Sequence, residues 1–139
     1  MKGEKRVVRI VVMAAALLVT VSARAMAQGA GNAAAGEKDF VICRACHEIG
    51  PGAKVLVGPP LNGVVGRKAG TYPGFDYSDA NKKSGITWTP EELTKYLANP
   101  QAVVPGTKMI FPGLHDPQQV QDVIAYLSQF GPDGQKKAQ

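Results

Sequence analysis

From Gly50 to Gly85 the chain reads "GPGAKVLVGPPLNGVVGRKAGTYPGFDYSDANKKSG". Apolar residues recur there at neither the strand period of two nor the helix period of 3.6. Gly and Pro punctuate it throughout, and only "SDANKK" offers a helical turn. A compact domain rarely carries so long an irregular stretch unless something other than its own secondary structure organises it. A large apolar cofactor would serve, and the flanking sequence must then supply a frame and a means of holding it.

The frame is helical. "NAAAGEKDFVICRAC" predicts a helix capped by Asn32 and ending near His47, with Gly36 and Phe40 four apart on one face. "TWTPEELTKYLANP" predicts a second, with Thr89 as N-cap, Pro90 at the first position, Glu92 completing a capping box and Asn99-Pro100 as the stop. "DPQQVQDVIAYLSQFGP" predicts a third, capped by Asp116, started by Pro117 and ended by Gly131-Pro132. Val120, Val123, Ile124, Leu127 and Phe130 recur along it at helical spacing. "QAVVPGTKMIFPGL" reads as loop and "GQKKAQ" as a polar tail. No internal repeat or strand-rich region is present. The expectation is a small all-α domain with three main helices and long wrapping loops.

The 139 residues suffice for one domain. The first 27 read as a secretory leader: a basic start with Lys2, Lys5, Arg6 and Arg9, then "IVVMAAALLVTV", then small residues at Ala25 and Ala27. The apolar run is short of the roughly 20 residues a spanning helix needs; a retained leader would be a membrane tether. Cleavage leaves a domain of residues 28–139 starting at Gln28, exported to a bacterial periplasm. Five of the 16 basic and one of the 11 acidic residues lie in the leader, leaving a net charge of +1. The high isoelectric point belongs mostly to the leader, and nucleic acid loses its electrostatic case as a partner. Helices cover under half of the remaining chain, and so thin a core commonly needs a cofactor, metal or disulfide.

Both cysteines lie in "FVICRACHEIG", as Cys43 and Cys46, with His47 directly after. A disulfide across two intervening residues closes a tiny loop and adds little constraint. A redox dithiol favours a helix N-terminus, where the thiol pKa falls, whereas this pair lies near a helix end. Structural zinc needs four Cys or His ligands; Cys43, Cys46, His47 and His115 are the whole supply, and His47 is badly placed to share an ion with both thiolates. Covalent haem attachment needs this local order, with two thiols for the porphyrin vinyl groups and the next imidazole for the iron. Three of the four methionines fall in the leader, leaving Met109 as the candidate second axial ligand. It lies in the loop "VPGTKMIF", where a core-filling role suits it less. His115, beside a helix cap, reads as a surface histidine.

"CRACH", "GPPLNGVVGRKAGTYPGFDYSDANKKSGITW", "EELTKYLANP", "VPGTKMIFPGL" and "DVIAYL", in that order, closely resemble mitochondrial cytochrome c and its bacterial relatives of the c-two type. The resemblance spans nearly the whole chain after the leader. It implies one haem c attached through Cys43 and Cys46, with His47 the proximal and Met109 the distal ligand. It gives Pro59 the carbonyl that orients the proximal imidazole. It makes Tyr77 and Trp88 partners of a haem propionate and Arg67 the cation balancing propionate charge. Asn81, Tyr96 and Thr107 match a buried polar network near the Met sulfur, and Phe111 the aromatic at the exposed haem edge. Gly36 and Phe40 match one side of a helix crossing, Val123 and Tyr126 the other. Taken singly, Trp88 and Tyr96 would pass for core aromatics and Arg67 for a solvated loop charge.

The implied function is that of a monomeric one-electron carrier, not an enzyme. It would pass electrons from a donor such as a cytochrome bc complex to a terminal oxidase, reductase or photosynthetic reaction centre. Contact with those membrane complexes would be transient, through the haem edge. Alternatives are a dedicated acceptor for one periplasmic dehydrogenase, and a haem peroxidase-like enzyme if Met109 is not a ligand. Relatives ring the haem edge with lysines that steer acidic partners. Lys54 and Lys108 keep that pattern, with Arg44 nearby. Gln101 and Ala102 replace a lysine pair, and Ile42, Leu56 and His115 occupy other lysine positions. A weaker, less salt-sensitive encounter is expected.

Overall fold

Each main helix begins on a side chain that accepts the free N–H groups of its first turn. The computed structural model describes residues 30–138, so the leader and the proposed start at Gln28 lie outside the described residues. Helix α1 (Ala33–Asp39) starts on Asn32, whose Oδ1 accepts from the N–H groups of Ala34 and Ala35 at 2.9 and 3.0 Å. It stops as α-helix at Asp39 and tightens into a 3-10 turn over Phe40–Ala45, a narrower winding than a single helix running to the cysteines. The turn "SDANKK" forms α2 (Asp79–Lys83), capped by Ser78. Helix α3 (Pro90–Ala98) has Thr89 as N-cap and Pro90 at its first position.

The expected capping box is only half made. Thr89 Oγ1 accepts from the Glu92 N–H at 3.3 Å, but the Glu92 carboxylate turns outward to Lys95 Nζ at 2.6 Å. A cation one turn on competes for the carboxylate that would reach back. Asn99 ends α3 and at once caps a further turn, α4 (Pro100–Val103), in a segment expected to be loop. Helix α5 (Pro117–Ser128) starts on Asp116 as expected and ends three residues before Gly131. The C-terminal tail is not free. The Lys137 N–H donates to the Gln129 carbonyl at 2.8 Å, and Phe130 and Lys136 form an antiparallel bridge.

Helices α1 and α5 cross closely, and α3 packs on α5. The crossing depends on Gly36, because a Cβ there would overlap the carbonyl of Asp122 on α5. Phe40 and Tyr126 continue the contact with ring centroids 5.3 Å apart. The Asp122 carboxylate reaches across and accepts the Asn32 N–H at 2.7 Å, tying the start of α1 to the middle of α5. Phe40, Leu93, Leu97, Val120, Val123 and Leu127 form the buried centre between these helices.

The long irregular stretch is held by specific pairings. The Trp88 N–H donates to the Arg67 carbonyl at 2.9 Å and the Gly66 N–H to the Trp88 carbonyl at 2.8 Å, beside a Lys68–Thr87 bridge, and the Ala69 N–H donates to the Ile86 carbonyl at 2.8 Å. Asn62 clasps Gly50, accepting its N–H at 2.8 Å and donating to its carbonyl at 3.0 Å. No described helix is long and apolar enough to cross a membrane.

Candidate cofactor site

The 3-10 turn brings Cys43, Cys46 and His47 to one wall of a cavity. The N–H groups of Cys46 and His47 both point back at the Cys43 carbonyl, at 3.1 and 2.9 Å. No disulfide joins the two cysteines. Burial pushes the Cys43 thiol up to about 11, with Cys46 adding to the rise. A dithiol built for exchange has its reactive thiol lowered instead, so the surroundings do not suit that chemistry. Among the described residues, no group of three or more His, Cys, Asp or Glu side chains is placed to hold a metal ion, so the zinc arrangement has no ligand set.

His47 is held from two sides. Its Nδ1 lies 2.7 Å from the Pro59 carbonyl, which can only accept, so Nδ1 carries the hydrogen and Nε2 keeps a free lone pair. Burial holds the imidazole below its ordinary pKa; the Pro59 bond opposes this and the Arg67 charge reinforces it. Gly58 backs the ring, since a Cβ there would overlap the imidazole. The Gly58 N–H donates to the Cys46 carbonyl at 2.8 Å, closing the strand of loop around the histidine.

The cavity measures about 390 Å³ and takes in all twelve residues expected at the site: Cys43, Cys46, His47, Pro59, Arg67, Tyr77, Asn81, Trp88, Tyr96, Thr107, Met109 and Phe111. Met109 arrives from the loop after α4, where its N–H donates to Thr107 Oγ1 at 3.2 Å. Thr107 Oγ1 also lies 3.1 Å from the Tyr96 hydroxyl. Trp88 packs on Tyr96 with ring centroids 4.5 Å apart. Phe111 is half-buried against the core. Arg67 donates to the carbonyls of Asn62 and Pro60 at 2.9 and 3.3 Å. Burial lowers its pKa, while Tyr77 and Tyr72 raise it.

Other cavity residues were not assigned to the site from sequence. Leu93, Leu97, Val123 and Leu127 line it from α3 and α5; their helical spacing signals burial without saying against what. Gly58 and the Asn62–Gly50 clasp carry no local signal at all. Lys108, expected among the docking lysines, also lines the cavity. It is a docking lysine by position, yet its Nζ is tied to Asp76 Oδ2 at 2.8 Å and to the Asp76 carbonyl at 3.0 Å.

These residues fit a haem. The walls are mainly apolar with a few placed polar groups, as cofactor sites are. Two thiols and an imidazole share one wall. Asn81 Oδ1 is buried without a hydrogen-bond partner, an acceptor that a bound group or internal water would satisfy.

Comparison with known proteins points the same way. A family model described as "Cytochrome c" matches residues 33–131. Cytochrome c2 of Blastochloris viridis is 55% identical over 120 residues, covering 86% of this chain and 94% of that protein. The structure of cytochrome cH from Methylobacterium extorquens aligns with a TM-score of 0.67 at 55% identity, over 70% of this chain and 98% of that one. Cytochrome c2 from Rhodospirillum centenum aligns with a TM-score of 0.69 at 45% identity, over 73% of this chain and all of that one. With its helices, its cavity and its sequence in agreement, the chain belongs to the cytochrome c family, as a class I cytochrome of the c2 type.

Proposed function

We propose that this cytochrome is a monomeric periplasmic carrier that moves one electron at a time, with His47 and Met109 as axial ligands of a haem bound through Cys43 and Cys46. The observation that carries the reading is the convergence of those four side chains on one apolar cavity. Bound haem supplies an iron that changes charge by one unit between Fe(II) and Fe(III). His47 offers Nε2 because Pro59 holds Nδ1–H, and burial disfavours the charged ring. Thr107 fixes the Met109 backbone. With both positions taken by protein, no place is left for a substrate, which favours a carrier over a peroxidase. A thioether ligand in apolar surroundings raises the potential. Tyr77, Trp88 and Arg67 are assigned to the propionate side, Asn81, Tyr96 and Thr107 to the polar network beside Met109.

The electron's exit is assigned to the cavity mouth near Cys43 and Phe111. Ile42, Val57 and Ile110 also line the cavity, and are 50, 76 and 98% exposed. With Lys108 engaged by Asp76, the mouth is more apolar than cationic. Partners of the bc, oxidase, reductase or reaction-centre kind would therefore meet it with little electrostatic steering. An association rate with the donor that fell steeply from low to moderate salt would contradict this.

The ligand assignment is tested by redox titration of the optical spectrum in wild type and Met109→Ala. Loss of the high potential in the variant is expected; an unchanged potential would remove Met109 from the iron.

A further inference from the structure

Tyr72 stands outside the cavity, yet touches the one cation that lines it beside the propionate-assigned aromatics. The Arg67 guanidinium carbon lies 5.1 Å from the centre of the Tyr72 ring. Arg67 lines the cavity and Tyr72 does not. The ring therefore lies against the guanidinium without itself lining the cavity.

Arg67 has no carboxylate partner among the described residues. Among these, Lys82 and Lys108 pair with Asp76, Lys83 with Asp79 and Lys95 with Glu92, while Arg44 and Lys136 lie over the Phe40 and Phe130 rings away from the propionate-assigned group. Arg67 donates instead to two backbone carbonyls, of Asn62 and Pro60. Carbonyls orient a guanidinium without cancelling its charge. Burial weighs against that charge. An aromatic face attracts a cation most where water is excluded.

We propose that Tyr72 is a positioning residue for Arg67: its ring holds the guanidinium dry and turned toward the cavity, so that the full charge acts on the bound haem and raises the reduction potential. This rests on the reading that Arg67 balances propionate charge. The sign follows from electrostatics. A nearby cation disfavours the more positive ferric state, and water reaching that cation screens it. Replacing Tyr72 by an aliphatic residue should lower the potential through Arg67 alone.

The test compares Tyr72→Leu, Tyr72→Phe, Arg67→Gln and the Tyr72→Leu/Arg67→Gln double variant, all haem-loaded. Tyr72→Leu keeps apolar bulk but removes the aromatic face. At a fixed electrode potential, its ratio of oxidised to reduced protein should rise about threefold, which is about 28 mV at about 59 mV per tenfold for one electron. The Arg67 Nε–H should exchange with solvent faster by NMR. Tyr72→Phe should restore both readings, and Tyr72→Leu should add nothing once Arg67 is Gln. If Arg67→Gln lowers the potential and Tyr72→Leu moves neither reading, the role of Tyr72 is overturned while the propionate reading stands. If Arg67→Gln leaves the potential unchanged, the propionate reading fails first and takes the proposal with it.

Discussion

Two glycines show how differently two parts of this molecule are built. At Gly36 a missing side chain lets α1 lie directly on the backbone of α5. At Gly58 it lets a loop lie directly on the His47 ring. The first contact is backbone against backbone, within a frame of helices that bury their apolar faces on one another. The second is backbone against a functional side chain, within loops that turn around a cavity. The helical frame closes mainly on itself, with Leu93, Leu97, Val123 and Leu127 also facing the cavity. The loops from Gly50 to Gly85 have pairings at their base but share their inner face with whatever fills the cavity.

That contrast can be broken most forcefully by removing the anchor. In a Cys43→Ala/Cys46→Ala variant, which cannot hold haem covalently, amide exchange over residues 50–85 and 104–113 should approach that of open chain. Amides at the α1–α5 crossing should retain the larger share of their protection. Uniform loss throughout would show that frame and loops are one cooperative unit.

The next effect separates the glycines. Gly36→Ala forces a methyl against the Asp122 carbonyl, where no side chain can swing aside. It should destabilise the haem-loaded protein by about 3 kcal/mol, the upper range for overpacking, in denaturant unfolding, and leave the reduction potential near wild type. Gly58→Ala should do the reverse. The imidazole can tilt at a cost of about 1 kcal/mol, so stability falls less while the axial-ligand spectrum and potential move. Equal shifts of potential in both variants would erase the distinction.

The smallest effect concerns the tie from the Met109 loop to Asp76. Hydrogen bonds and charge from Lys108, with lesser help from Lys82, hold the Asp76 carboxyl below its usual range. A carboxyl depressed in the folded state adds stability above its unfolded pKa and loses it as pH falls through the folded one. Amide exchange at Met109 and Ile110 should therefore rise only below about pH 4 in wild type, and Asp76→Asn should abolish that step. Because the pair is exposed to solvent, unfolding midpoints at neutral pH should barely change.

Helix starts were legible because capping is local chemistry. Asn32, Thr89 and Asp116, the caps expected from sequence, each bond within three residues of themselves. Helix ends were less so: α1 gives way to a 3-10 turn at Phe40, and α5 stops before Gly131. Those ends answer to what the chain must reach next. The Glu92 carboxylate shows the same limit, since Lys95 competed for it.

From its residues alone, the sequence determined the C-x-x-C-H order of Cys43, Cys46 and His47, the one methionine after residue 27, and an all-α frame. These are covalent or short-range matters, set by residue type and spacing. Only the tertiary structure decided that twelve residues scattered from Cys43 to Phe111 share one cavity. It alone set Gly58 against an imidazole, Lys108 on Asp76, and Tyr72 over Arg67. Each of those pairings joins separate turns of an irregular chain, and no periodicity encodes where such turns meet.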